Sequence, residues 1–597
     1  MSTYSPDLLA KVVHVVDMSN AVDLLEEGML RSSRGRRSNH TTLRLFFIGG
    51  ILSTTLHGSG VIEHMHKVLV EELPLDVQWR LGVRQWVSGT DGQHKERCLT
   101  LDDFYNLSRR LAKYLDYGIG SAPDLDDDER ARRHSVVQTV CDTFCAIFDD
   151  PDITASAQGW ISSVVAIDAT GIWSWGRGSF REPEPGAAAS DEPGAAASDE
   201  ADEAAPGEPE GNTVCGAGTG DEDAVPAGLA LDVTTMSRAG DVGGGHPHDP
   251  DARPGKKTRK DGAKEGFFGY EEHTTVRASL APSGDPAWEP PLIRSFEVTP
   301  ASTDVVDVSL GMLDRCAPTP EDIIVDRHYS YKDVFRWKDQ LTARGIRQHL
   351  DLRGDEQGFI DVDQVKFAAG WAHCPATPAD LGTIVRPQPT ASKETIDRSI
   401  KRIELRQRYA FRRITTPDAS GRARWECPAS AGTVGCPNCP GTVAAAISLG
   451  LPVIENPPAL AGPNAPACCT QRTVTITPPA LVRKLMQPFY WGSKQWREIF
   501  GKRTYVEGSY GNRKNPSTEN LRRGYLRVTG VARVNLFSIF PVVSYNLRML
   551  QNWHDRTGLG NPDHPLLAKA PQSFGFKLLT EAESQAIGER FLEAKAS

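Results

Sequence analysis

No stretch of this 597-residue chain approaches the roughly 18 consecutive apolar residues that a membrane-spanning helix requires. The richest run, Leu45-Phe-Phe-Ile-Gly-Gly-Ile-Leu52, is too short to cross a bilayer and lacks the placement of a secretory signal. A soluble, cytoplasmic protein with no membrane partner is therefore expected. An excess of positive charge is also missing. The net charge of −10 argues against a nucleic-acid partner until its distribution is read. Lys and Arg are absent from residues 182–225, which hold thirteen Asp and Glu, so the rest of the chain carries +3. The acidity is local.

Residues 471–550 show the opposite balance, with fourteen Lys plus Arg against Glu498, Glu507 and Glu519. Such a patch neutralises phosphates and releases their counterions, the usual source of DNA affinity. A solvated helix face would have the same composition.

The length suits three or four domains. Residues 1–135 read as an N-terminal helical domain, with 38–120 mainly helical. In Leu101–Leu115 apolar residues recur at helical spacing beside Arg109, Arg110 and Lys113. Residues 181–248 contain the direct repeat Pro185-Gly-Ala-Ala-Ala-Ser-Asp-Glu192 and Pro193-Gly-Ala-Ala-Ala-Ser-Asp-Glu200. Low hydrophobicity and one charge sign leave this segment unable to offset its ordering entropy, so a mostly disordered insertion is expected. His246, His248 and Asp249 sit in Gly- and Pro-rich surroundings that favour a loop over a metal site.

Three acids stand in informative contexts. Val164-Val-Ala-Ile-Asp168 is a β-branched run ending in a carboxylate before a Gly turn, and Asp322-Ile-Ile-Val-Asp326 is a second apolar run closed by an Asp. Glu507 lies in Arg503-Thr-Tyr-Val-Glu507-Gly-Ser-Tyr-Gly-Asn-Arg-Lys514, crowded with cations and aromatics. Any one of them, taken alone, reads as a cap or turn residue. As a trio they fit Mg²⁺ or Mn²⁺, which needs few protein oxygens beside water and substrate phosphates. Asp304, Asp351, Asp361 and Glu498 compete for these roles in contexts that match less well.

The order strand-Asp, strand-Asp, then Glu in a basic helix resembles the DDE transposases of bacterial insertion sequences. One group of that family carries Tyr-x2-Arg-x3-Glu-x6-Lys around its third acid. Here the same spacing reads Phe500-x2-Arg503-x3-Glu507-x6-Lys514, with Phe in place of Tyr. Asp249-Pro-Asp-Ala-Arg253, Gly266-Phe-Phe-Gly-Tyr270-Glu-Glu-His273 and Val298-Thr-Pro-Ala-Ser-Thr-Asp304 resemble further family segments, and the similarity spans about residues 160–550. It implies an α/β, RNase H-like catalytic domain with a mixed sheet flanked by helices, built from 136–180, 249–400 and 479–560. It also implies catalytic, Mg²⁺-holding roles for Asp168, Asp326 and Glu507, and DNA contacts from Arg503, Lys514, Arg513, Arg327, Tyr270 and His273. The implied partner is double-stranded DNA, both element ends and target, bound by a homodimer associated with the nucleoid. Residues 1–135 would bind the element's ends, or serve dimerisation or packing. An RNase H-like nuclease or resolvase without strand transfer, and a catalytically inactive DNA-binding descendant, are the alternatives.

The coarse pattern matches that fold class. It places strands at 163–168, 270–281, 291–299, 322–326 and 346–352, with helices at 304–315 and 331–344. Trp491, Trp496, Tyr505 and Tyr510 would stack on a flipped base or pack in a core. Cys141 and Cys145, four apart on a helix, favour packing. Residues 401–478 form a cysteine-rich insertion. Cys427, Cys436 and Cys439, with Cys468 or Cys469, have the Cys-x2-Cys spacing and distant thiols of a structural Zn²⁺ site, and His373-Cys374 offers a replacement ligand. Loop cysteines without metal are the other reading. Residues 561–597 are a C-terminal tail.

Overall fold

The structure is a computed structural model and describes residues 5–29, 40–88, 94–154, 162–176, 248–258, 264–282, 285, 288–362, 365–384, 386–387, 390–462 and 465–568. Within the acidic insertion only His248 is described, and the C-terminal tail is described only as far as Ala568.

A mixed sheet organises the molecule. Its strands are β1 Val164–Trp173, β2 Arg253–Thr258, β3 Lys264–Arg277, β4 Ile293–Pro300, β5 Asp322–Val325 and β6 Arg347–Leu350. The long β3 pairs antiparallel with β1 on one side; on the other, β2 follows its first half and β4 its second. β1 continues in parallel to β5, and β5 to β6. Seven helices matter for the site: α1 His40–His57, α2 Asp127–Ala146, α3 Val305–Arg315, α4 Lys338–Ala343, α5 Lys494–Phe500, α6 Thr504–Lys514 and α7 Val531–Thr557.

The β-branched run of β1 is buried on both faces, as a central strand requires. Val164 and Ala166 join one hydrophobic core; Val165 and Ile167 join the other. The first core holds the N-terminal helices, α2 and α7. The second holds α3, α4 and the segments around the cysteines. The N-terminal helices thus pack directly on the mixed sheet's layer. Phe46 of α1 meets Phe537 and Phe540 of α7 at 5.2 and 5.5 Å between ring centroids. Among the described residues no single helix is long and apolar enough to cross a membrane, and the run Leu45–Ile48 is fully buried here.

Two elements differ from the sequence pattern. The expected helix at 331–344 is a 3₁₀ turn, Arg327–Tyr331, followed by the short α4. The Asp333 carboxylate accepts from the Phe335 and Arg336 amides, and this turn interrupts the helix. The region 38–120 contains a hairpin, Arg84–Ser88 with His94–Cys98, begun where Gly82 takes a left-handed φ of 83° and ends the helix before it.

The outer edge of β4 is closed by side chains of α7. Asn535 accepts from the Val298 amide at 2.8 Å and donates to its carbonyl at 2.7 Å; Asn546 does the same at Ile293, at 2.8 and 2.9 Å. Eleven helical residues rise about 16.5 Å, and five strand residues span about 16.5 Å. The two periods therefore match between these contacts. The first turn of α7 is held by three buried aspartates. Asp249 accepts from the Gly530 amide, Asp251 from Val531 and Asp116 from Ala532, filling donors that a helix start leaves open. Asp249-Pro-Asp251 is thus a capping motif for a helix 280 residues away.

Replacing Asn535 by Leu leaves the buried Val298 amide and carbonyl without partners, each costing about 1–3 kcal/mol. The expected loss is about 2–4 kcal/mol of unfolding free energy in urea. A loss below about 1 kcal/mol would refute the clamp.

Candidate active site

The parallel register lines up the acids. Val164 stands opposite Asp322 and Ala166 opposite Ile324, and the same offset carried two residues further brings Asp168 level with Asp326. Asp322 stands opposite Arg347 and Val325 opposite Leu350, which brings Asp326 level with Asp351. Neighbouring strands lie about 4.8 Å apart, so three carboxyl-bearing positions form one row across the C-terminal ends of parallel strands. Asp168 and Asp326 share the parity of Ala166 and Ile324, both of which face the first core. Glu507 approaches from that same side, because Val506 and Tyr510 of its helix pack there.

Helix α6 is fastened to the sheet by residues one turn apart. The Tyr510 hydroxyl donates to the Asp168 carbonyl at 2.7 Å. Arg513 meets Glu272 at 2.5 Å with both side chains fully buried. Lys514 Nζ donates to Thr170 Oγ1 at 2.6 Å. Glu507 precedes Tyr510 by three residues and so lies on the anchored face.

Arg503 joins the acids electrostatically. Its guanidinium is ion-paired with Glu507 and lies 3.5 Å from Asp168 Oδ2. Burial pushes the Asp168 carboxyl up to about 6; Asp326 and Glu507 add to the rise, while Arg503 and the Ala169 amide oppose it. Burial disfavours the charge on Arg503, yet Asp168, Glu507 and Asp326 together hold its pKa above the ordinary value. Asp326 also caps the following 3₁₀ turn, its carboxylate accepting from the His328 amide at 2.9 Å. A cleft of about 590 Å³ opens over Asp326, Asp351, Arg386, Phe500, Arg503 and Glu507.

The structure sorts the other expected residues. Arg503 and Lys514 lie at the acids and at β1 respectively, and Arg327 is exposed beside Asp326. Arg513, Tyr270 and His273 are corrections to the expected DNA contacts, because all three are buried. Arg513 is closed on Glu272, Tyr270 donates to Asp249 at 2.8 Å, and His273 bonds Thr299 at 3.1 Å. Burial pushes His273 down to about 4, so its ring is neutral at pH 7. Their work is to position strands. Trp491 and Trp496 are also core residues. Phe500 stacks on Trp496 at 4.6 Å, a role that does not use the hydroxyl it lacks.

Of the competing acids, Asp304 caps α3, and Asp361 and Glu498 stand away from the cleft lining. Asp351 is the one that sequence reading undervalued. It accepts from Trp491 Nε1 at 3.0 Å and pairs with Arg386 at 2.8 Å at the cleft. Its position in the segment expected as a strand, 346–352, was the available signal, a weak one because Arg347-Gln-His-Leu350 is mainly polar. Arg386 had none, since it lies in a Pro-rich loop.

Cys427, Cys439 and Cys469 pack against the second core, while Cys374, Cys436 and Cys468 are buried in it. The Cys439 amide donates to the Cys436 carbonyl at 2.9 Å, closing a tight turn. Burial pushes Cys374 up to about 12 and raises Cys427, Cys436 and Cys468; their neighbouring thiols add to each rise. Among the described residues, no three His, Cys, Asp or Glu side chains already stand in the arrangement of a metal's ligand shell, at the cysteines or at the acids.

No family model matches the chain, and neither a curated protein nor a solved structure does.

A carboxyl whose folded pKa exceeds its unfolded value destabilises the fold once ionised; the stability it contributes in the protonated form is lost as pH rises through the folded pKa. In metal-free buffer Asp168→Asn should therefore raise the melting temperature at pH 8 by about 2 °C. That gain should shrink as pH falls from 6 towards 4. An equal gain at both ends of the range would refute the assignment.

Proposed function

We propose that this protein is a DDE-type DNA transposase with an RNase H-like catalytic domain. The observation that carries the reading is the parallel register that sets Asp168 level with Asp326, with Glu507 fastened beside them on α6. Strand order and direction support the fold: three antiparallel strands, β4, β3 and β1, continue into the parallel pair β5 and β6.

The donor set fits Mg²⁺ or Mn²⁺. Asp326 and Glu507 line one cleft with Arg503, and Asp168, level with Asp326 and 3.5 Å from Arg503, has its carboxyl raised to about 6 by burial and then by the other two acids. Asp168, Asp326 and Glu507 would hold the metal, which when bound would supply charge stabilisation for a phosphodiester displacement. In the first reaction water attacks the phosphodiester at the element's end, and the P–O3′ bond breaks to leave a 3′ hydroxyl. In the second that hydroxyl's oxygen attacks a target phosphorus and displaces the target's own 3′ oxygen. Arg503 would hold a phosphate near the acids it now neutralises, and Lys514 would fix β1 beneath the site. Exposed Arg327 offers a further phosphate contact. A homodimer on double-stranded DNA would bring two element ends together.

Divalent-metal-dependent cleavage and joining of duplex DNA carrying the flanking ends tests the reading. Glu507→Gln should reduce both reactions more than about 100-fold, beyond the 10–100-fold expected of an outer-shell partner. Cleavage without joining would favour a nuclease. Binding without scission in either protein would favour an inactive DNA-binding descendant.

We propose in addition that the cysteine-rich segment holds a structural Zn²⁺. Cys427, Cys436, Cys439, Cys468 and Cys469 gather with Cys374 in and around one core, a set of soft thiol donors that a Zn²⁺ would bind as thiolates, displacing their protons. Purified protein should contain about one zinc per chain and lose melting temperature on chelation. Metal-free protein of unchanged stability would exclude the site.

A further inference from the structure

At the opposite end of the parallel strands from the acids lies a second cleft, of about 530 Å³, between α4, the start of β6 and the loop 413–421. Arg347 marks its position. It stands opposite Asp322 at the first residues of β6 and β5, whereas Asp326 and Asp351 follow the last. The two clefts are thus separated by a strand length, about 10 Å.

The lining holds four cations, Lys338, Arg347, Arg413 and Arg483. Two of them are neutralised, Arg347 by Asp322 at 2.5 Å and Arg483 by Asp339 at 2.9 Å. Lys338 and Arg413 have no ion pair or side-chain hydrogen bond among the described residues. The Arg413 guanidinium is instead held by stacking, 5.1 Å from the ring centre of Trp371 and 5.9 Å from that of Trp425. Lys338 keeps part of its surface in the cleft yet is densely surrounded by protein; burial, and then Arg413, push it down to about 8 against the opposing charge of Asp339. The lone lining carboxylate, Asp418, is occupied by the amides of Ser420 and Arg422 and the Ser420 hydroxyl.

A further donor without a partner belongs to a residue of the same lining. Gln487 is 3% exposed and lines the cleft. Its carbonyl oxygen is used by the Leu350 amide and Trp496 Nε1, while its amide nitrogen Nε2 is buried without a partner. Two unpaired, mutually repelling cations and an unfilled donor around one open cleft form an unfavourable arrangement by themselves. An anion among them relieves it. Ile346, Ile414 and Met486 complete the lining with apolar surface that suits a sugar or methylene group beside that anion.

We propose that this cleft binds a phosphate ester, contributed by the backbone of a DNA strand that continues past the catalytic acids. The phosphate charge is expected to lie between Lys338 and Arg413, with the Gln487 amide donating to one oxygen. The DNA source rests on the proposed function; the anion site itself does not.

The test uses the full chain, Lys338→Met and Arg413→Met singly and together, and duplex DNA followed by fluorescence anisotropy across a salt series. The double variant should bind about tenfold more weakly, and its log affinity against log salt should flatten by about 1, as expected for one lost phosphate contact. Lys338→Met removes no hydrogen bond, so its melting temperature should equal or exceed that of the parent; a clear fall would mark a structural lysine and overturn the inference. Unchanged affinity and salt slope in the variants would overturn it while leaving the transposase reading intact. No duplex binding by the intact chain would overturn both. Stabilisation of the parent alone by thymidine 5′-monophosphate, with duplex binding unaffected in the variants, would overturn the DNA assignment in favour of a free phosphate ester.

Discussion

The buried ion pair between Arg513 and Glu272 is the contact on which the candidate active site depends. Both side chains are fully excluded from solvent. Bringing two charges out of water carries a large desolvation cost, and removing one partner of such a pair typically costs about 3–5 kcal/mol. The pair therefore permits one docking of α6 on β3 and disfavours others. Tyr510, one turn earlier, ties the same helix to the Asp168 carbonyl, and Glu507 lies a turn before that. A change in how Arg513 meets Glu272 would move Glu507 relative to Asp168 without touching either acid.

Beneath this contact the sheet is itself held from its edge. β3 owes its rigidity to partners on both sides, and β4, its outer neighbour, would present open amides and carbonyls without α7. Asn535 and Asn546 fill those groups, and Asp116, Asp249 and Asp251 fix where α7 begins. The N-terminal helices pack on α7 in turn, so the helical region at the start of the chain and the last long helix support the same face of the sheet that carries the acids.

Much of the sheet was legible in the sequence because its central strands are apolar. Val164–Ile167 and Ile323–Val325 are continuous β-branched or aliphatic runs, and such runs declare a buried strand whatever surrounds them. The acids that end them were legible for the same reason. β3 was legible as a strand but not as a buried one. Glu272, His273, Thr274 and Thr275 are polar, and only the arrival of Arg513, Thr299 and Ser295 explains how they can be interior. For that reason Tyr270, His273 and Arg513 resembled surface groups in the sequence and are core groups in the fold. Asp249-Pro-Asp251 likewise read as part of a Gly- and Pro-rich loop, whereas its carboxylates accept from backbone amides of a helix far along the chain.

By itself the sequence determined which segments form the central strands, where the carboxylates stand on them, and that the positive charge gathers around Glu507. Those are local properties, set by side-chain branching, periodicity and composition. Only the tertiary structure decided that Asp351 joins the row, that Arg503 faces the acids, and that Lys338 and Arg413 line one cleft without an ion pair among the described residues. Each of these follows from strand register or from the packing of segments far apart in the chain. Register is fixed by contacts summed over the whole sheet, and no single segment carries it.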